Sequence, residues 1–134
     1  MTNREIEREK NALYKKYYGD DCRVPANLKQ PWTLEDKLRD EELSCIEMIH
    51  SCLTYGTDPY EVGTHWVVGK GHMTQTWMTP YEEILGVERV KELVEQEKEE
   101  YKHAFIHHGV HTDCEGLSYN SVTFFRDDRP EETA

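Results

Sequence analysis

Three stretches of the chain carry apolar residues at intervals of three and four, the spacing that places them on one side of a helix. Each stretch ends at or just before a glycine, the residue that most often follows the last turn of a helix. The first stretch is also preceded by Thr2, which with Glu5 has the form of a capping box. The pattern therefore predicts three main helices, over residues 3–18, 34–55 and 87–108.

The period of the pattern changes between the second and third helices. Residues 64–78 show strand-like alternation on either side of the turn at residues 69–71, which predicts a β-hairpin. The expected register of this hairpin places Trp66 opposite Thr74. Residues 117–125 have the Tyr, Val, Thr and Phe content of a strand and are a candidate third strand of the same sheet.

These elements predict an α+β fold in which three main helices pack on a small antiparallel sheet. A chain of 134 residues fits one domain, which we expect to span residues 1–126. The polar residues 127–134 are expected to form a disordered acidic tail. No apolar run approaches the roughly 20 residues that cross a bilayer, and the first residues do not have the pattern of a signal peptide. The four cysteines match no common zinc module, so we expect a cytoplasmic protein with reduced thiols.

The charge of the chain is strongly negative and unevenly distributed. There are 16 Lys and Arg against 27 Asp and Glu, a formal net charge of −11. Residues 1–40 hold nine basic and eight acidic side chains, so the acidity belongs to residues 41–134. Such a field repels phosphate backbones and membrane surfaces and attracts basic partners. We therefore expect no direct nucleic-acid binding, no membrane binding, and a basic protein surface as the partner.

The third predicted helix has an apolar stripe on one side and carboxylates on another. The stripe includes Val90 and Val94, is interrupted by Glu97, and packs either within its own domain or against a second copy of the helix. Four glutamates at steps of three and four residues lie along another side and are expected to be exposed. We call these four residues the acidic row: Glu88, Glu92, Glu95 and Glu99.

A histidine-rich segment follows the acidic row. On a helix, His103 and His107 would stand one turn apart, where two imidazoles can bind one metal ion. His111 and Cys114, which follow Gly109, would supply the third and fourth ligands of a zinc site. These residues match no established zinc spacing, so a protein without a cofactor is the main interpretation and zinc is the alternative.

Two Glu-x-x-His sequences, Glu47 to His50 and Glu100 to His103, have the pattern that holds paired metal ions in helical bundles. In a chain with seven histidines and so many glutamates, about one such match is expected by chance. The pattern therefore adds little to the case for a metal site.

No nucleophile can be paired with a base and an orienting carboxylate from the sequence, which favours a non-catalytic protein. In size and charge the chain is similar to the small acidic inhibitors that phages and mobile elements direct at nucleic-acid enzymes, a similarity of class rather than of motif. That similarity implies an inhibitor that imitates nucleic acid and engages a basic enzyme surface. Two alternatives remain: a zinc-binding domain or metal-dependent hydrolase built on the histidine-rich segment, and a homodimeric structural protein that uses the 87–108 helix as its seam.

Overall fold

The structure, a computed structural model, describes the backbone of residues 1–101, 105–112, 116 and 118–125 and the side chains of residues 1–100. The strands pair in order as two antiparallel two-stranded sheets, and the predicted α+β class is confirmed. In chain order the elements are α1 (Asn3–Tyr18), a short 3-10 helix (Pro25–Asn27), α2 (Leu34–Thr54), β1 (Gly63–Val67), β2 (Gly71–Gln75), α3 (Thr79–Leu85), α4 (Val87–Tyr101), β3 (Phe105–Thr112) and β4 (Ser118–Phe125).

Helices α1 and α2 begin where their capping residues predict. The Thr2 hydroxyl accepts a hydrogen bond from the Glu5 amide at 3.1 Å, and the Glu5 carboxylate accepts one from the Thr2 amide at 2.8 Å. At the start of α2, Thr33 accepts from the Asp36 amide at 3.2 Å. These bonds satisfy amide groups that the first turn of a helix leaves without a carbonyl partner. Both helix starts are therefore set by local sequence.

The core lies where α1, α2 and α4 meet, with α3 closing one side. Each buried aliphatic side chain contributes about 1.5–3 kcal/mol relative to exposure, so this cluster supplies much of the driving force for folding. Two ionisable residues, His50 of α2 and Glu97 of α4, are buried as well. The buried apolar cluster consists of Ile6, Leu43, Cys45, Ile46, Ile49, Met78, Val90, Leu93 and Val94.

Strands β1 and β2 form the predicted hairpin, but in a different register. Trp66 lies opposite His72 and not opposite Thr74. The chain turns one residue earlier than expected, because Gly69 adopts a φ of 82° within the turn. A type II turn requires a positive φ at its third position, which glycine adopts without strain. The glycine therefore determines where the hairpin reverses.

Helix α4 is shorter than predicted, because it ends at Tyr101 and Phe105–Thr112 is strand β3. The prediction of helix over residues 87–108 is thus wrong for residues 105–108. Phe, Ile, Val and Thr side chains favour a strand here, and β4 supplies a partner of equal length for a continuous ladder. The predicted strand over 117–125 exists as β4, but it pairs with β3 rather than with the hairpin.

Residues 127–134 lie outside the described residues, so the acidic tail and the domain boundary at residue 126 stay predictions. Among the described cysteines, Cys22 is exposed and Cys45 and Cys52 are buried, and all three are free thiols. Within the described part of the chain, no helix combines the length and the apolar character needed to cross a membrane.

Candidate functional site

All four residues of the acidic row lie on α4 and are exposed, as predicted. At about 100° per residue, they fall within an arc of about 60° and extend about 16 Å along the helix. The residues that α4 buries are centred about 180° from this arc: Val90, Leu93, Val94 and Glu97. The acidic row therefore faces solvent directly opposite the side of the helix that packs in the core.

A chain of ion pairs joins α4 to α2 and α1. Arg89 donates from Nε to one oxygen of Glu42 at 2.6 Å, and Arg39 donates from Nη1 to the other at 2.9 Å. Arg39 also donates from Nε to Glu9 of α1 at 2.7 Å. Burial alone would raise the pKa of the Glu42 carboxyl, but the hydrogen bonds from the two arginines outweigh it and lower the pKa. The first turn of α4 is thus held by charge as well as by packing.

The four carboxylates of the acidic row differ in their surroundings. Glu92 accepts a hydrogen bond from Arg89 Nη1 at 3.2 Å, so part of its charge is already neutralised. For Glu88 and Glu95, the side chains of residues 1–100 provide no cation within ion-pairing distance. The row presents one carboxylate per roughly 5 Å, whereas one DNA strand carries a phosphate per about 3.4 Å of axis. It therefore reproduces a short and sparse segment of phosphate charge.

On the opposite side of α4, Glu97 is completely enclosed, with an exposed fraction of 0%. Its Oε1 accepts hydrogen bonds from His50 Nε2 at 2.6 Å and from the Met1 ammonium at 2.8 Å. Its Oε2 accepts from Gln96 Nε2 at 3.0 Å. Burial would raise the pKa of this carboxyl, but the bonds from His50 and the ammonium outweigh burial and hold the pKa below its ordinary value. Glu97 is therefore a buried carboxylate that ties α4 to α2.

The pairing of His50 with Glu97 was not predicted from the sequence. Glu97 stood out only as an interruption of the apolar stripe, and His50 only as part of a Glu-x-x-His pattern. The two residues of that pattern do not act together in the structure. Glu47 is exposed and pairs with Lys10, whereas His50 is buried. Each of the two long helices, α2 and α4, has one polar residue on its apolar side, and buried ionisable groups need partners. That pattern was the signal from which the His50–Glu97 pair could have been predicted.

The structure removes the helical basis of the predicted zinc site. His107 and His111 lie on β3, where residues four apart are separated by about 13 Å rather than the 6 Å of a helix. His103 and Cys114 lie outside the described residues, so the four-ligand set itself stays a prediction. Among the side chains of residues 1–100, no group of three His, Cys, Asp or Glu is arranged to hold a metal ion.

The apolar stripe of α4 packs within its own chain. Val90 and Val94 have exposed fractions of 0% and 2% and belong to the core cluster with α2. A homodimer seam along this stripe would need these side chains on the surface. These two residues of the stripe are therefore covered by their own chain. Val87 is exposed and the stripe beyond residue 100 lies outside the described side chains, so the homodimer stays a prediction.

Comparison of the chain with protein-family models, with curated proteins and with solved structures gave no match. Function must therefore be inferred from the geometry of the side chains themselves. The feature of that geometry with the clearest functional meaning is an exposed line of carboxylates on a helix that is fixed from behind.

Proposed function

We propose that the chain is a non-catalytic cytoplasmic binding protein whose acidic row engages a basic surface on a partner protein. The expected partner is a nucleic-acid-handling enzyme or complex, and the expected effect is inhibition by occupation of a groove that otherwise holds phosphates. One observation carries the proposal: all four carboxylates of the acidic row are exposed, on the side of α4 directly opposite its buried side.

The support for α4 makes this surface rigid before any partner arrives. Val90, Leu93 and Val94 hold the middle of the helix in the core, and Arg89 holds its first turn to α2. A surface that is already ordered loses little conformational entropy on binding. The carboxylates can therefore act as a fixed line of charge rather than as independent flexible groups.

The energetic role of such a row differs from that of a buried contact. An exposed ion pair contributes only about 0.2–1 kcal/mol by itself. Aligned charges instead raise the association rate and exclude partners of the wrong sign. The net charge of −11 adds a long-range attraction for basic proteins that weakens as salt is added. We therefore expect fast association with a steep dependence on ionic strength.

The test compares two variants that have the same net charge. Glu88→Lys with Glu95→Lys reverses the two row members for which no cation is found among the described side chains. Glu7→Lys with Asp20→Lys makes the same change of +4 at exposed positions on or next to α1. Partners captured from a host lysate by the wild type are identified and purified, and the association rate with each variant is then measured.

We expect the row variant to reduce the association rate with the purified partner about tenfold or more at low salt. The α1 variant should retain most of the wild-type rate, and moderate salt should slow the wild type towards the row variant. Equal rates for the two variants would mean that only net charge matters, and the proposed role of the acidic row would then be abandoned. Capture of partners without a basic surface would have the same consequence.

A further inference from the structure

A second surface feature lies away from the acidic row, between the hairpin and helices α2 and α3. It is a cavity of about 360 Å³, within the range of pockets that hold small ligands. None of the residues of the acidic row lines it. The side chains that matter for its chemistry are Met48, His65, Gln75, Trp77, Tyr81 and Glu83.

The aromatic wall of the cavity is held in place by its neighbours. Trp77 packs edge-on against the His65 ring, with ring centres 4.6 Å apart. A compact turn fixes the chain on either side of Trp77, because the Thr76 amide donates to the Thr79 hydroxyl at 3.0 Å. The next residue, Met78, has an exposed fraction of 0% and anchors the turn in the core. Trp77 therefore projects from a rigid segment rather than from a flexible loop.

Several large apolar side chains on and next to the hairpin are exposed beside the cavity. Trp66 and Val68 have exposed fractions of 67% and 88%, and Trp77 retains 37%. Aromatic and apolar side chains that are clustered and exposed in a soluble fold commonly mark a binding surface. The apolar character of the cavity thus continues outward along the hairpin.

The charge of the cavity selects the class of ligand. Among its described lining residues, Glu83 is the one carboxylate, and none is Lys or Arg. Burial raises the pKa of the Tyr81 hydroxyl, so this phenol adds no negative charge to the cavity. Trp and Tyr rings attract cations through their π faces. A negative group next to aromatic and aliphatic walls is complementary to a cation that is carried on an apolar stem.

We propose that this cavity binds an alkylammonium or alkylguanidinium group, with its stem against Met48, Trp77 and Tyr81 and its charge near Glu83. A free amine and the Lys or Arg side chain of another protein present this same chemistry. The proposal does not depend on the acidic row, so either proposal can fail without the other.

The three tryptophans make the test direct, because each indole N–H gives its own signal in a nitrogen-15 correlation spectrum. Trp77 lines the cavity, whereas Trp32 stacks on Tyr17 with ring centres 4.0 Å apart and serves as the internal control. Four probes are titrated at constant ionic strength. They are n-butylguanidinium, neutral n-butanol, anionic butyrate, and acetyl-arginine methylamide as a protein-like source of the cation.

We expect n-butylguanidinium to shift the Trp77 signal with a dissociation constant on the order of millimolar, as suits a ligand of this size. Butanol should bind about fivefold more weakly and butyrate more weakly still, while the Trp32 signal stays in place. Tighter binding of acetyl-arginine methylamide than of n-butylguanidinium would identify a protein side chain as the ligand. The reverse order would identify a free amine.

Glu83→Gln keeps the shape of the side chain and should weaken guanidinium binding about two- to fivefold. Glu7→Gln removes one exposed charge on α1, outside the cavity, and should leave binding unchanged. Butanol binding as tightly as n-butylguanidinium to the wild type would overturn the proposal, as would a Trp77 signal that none of the probes moves. Both of these outcomes are read on the wild-type protein, so the test does not depend on the folding of a variant.

Discussion

Helix α4 carries carboxylates on two opposite sides, and they have opposite roles. Glu97 has no exposed surface and accepts three hydrogen bonds through its two oxygens. The acidic row is exposed, and its member Glu92 forms an ion pair with Arg89 on the helix surface. The same residue type thus serves as an internal tie on one side and as a charged surface on the other.

The difference shows that the position of a carboxylate, rather than its charge, decides its energetic role. Taking a carboxylate out of water is costly unless hydrogen bonds and opposite charge compensate, and removing one member of such a set leaves the cost unbalanced. A carboxylate in water keeps its hydration and contributes little to stability. Substitutions on the two sides of α4 should therefore differ by several kcal/mol in stability.

The largest expected effect is that of Glu97→Ala. It leaves His50 Nε2 without its acceptor and opens a gap between α4 and α2. We expect a loss of about 3–5 kcal/mol in the free energy of unfolding, measured by urea denaturation. Glu95→Ala, two residues away on the exposed side, is the matched control and should cost less than about 0.5 kcal/mol. Similar losses for the two variants would refute the contrast between the two sides.

This contrast also separates what the sequence predicts from what it does not. The starts of α1 and α2 were predictable, because a capping residue acts on amides two or three positions away. The exposure of the acidic row was predictable too, since helical periodicity relates it directly to the apolar stripe. Both features depend on residues that are close in sequence.

The features that were missed depend on contacts between different elements of the fold. Glu97 and His50 are 47 positions apart, and only the packing of α4 on α2 brings them together. The end of α4 was misplaced because residues 105–108 satisfy a helical period, whereas pairing with β4 decides their structure. Their Phe and Ile side chains favour a strand while their period is helical, and pairing with the next strand along the chain decides between the two.

An intermediate loss in the free energy of unfolding is expected at acidic pH. The pKa of the Glu97 carboxyl lies below its ordinary value of 4.5 in the folded chain. A group whose pKa is lowered by folding contributes stability that is present above the unfolded pKa and is lost as the pH falls through the folded value. Stability should therefore decline below about pH 4.5, as Glu97 and Glu42, whose pKa is also lowered, take up protons.

The pH prediction is tested by urea unfolding between about pH 7 and pH 3, where the slope of stability reports proton uptake. Glu97→Gln should show a shallower decline than the wild type, because one of the carboxyls with a lowered pKa is gone. Glu95→Gln, on the exposed side, should follow the wild-type profile. An unchanged slope in Glu97→Gln would show that this carboxyl does not couple its protonation to folding.

The smallest expected effect lies within the acidic row itself. Glu92→Gln removes the negative charge from the side chain that Arg89 contacts at 3.2 Å, an i,i+3 ion pair on the surface of α4. We expect a cost of about 0.2–0.5 kcal/mol in the free energy of unfolding. Glu95→Gln should lie within about 0.3 kcal/mol of the wild type, because no cation among the side chains of residues 1–100 lies within ion-pairing distance of Glu95. Added salt should shrink the difference between the two variants, since exposed pairs are screened. This difference is measured by urea titration of both variants at low salt and at 0.5 M salt, where the Debye length is roughly half that in physiological buffer.

If Glu95→Gln costs as much as Glu92→Gln at low salt, Arg89 does not distinguish the members of the acidic row. The choice of Glu88 and Glu95 for charge reversal then loses its basis.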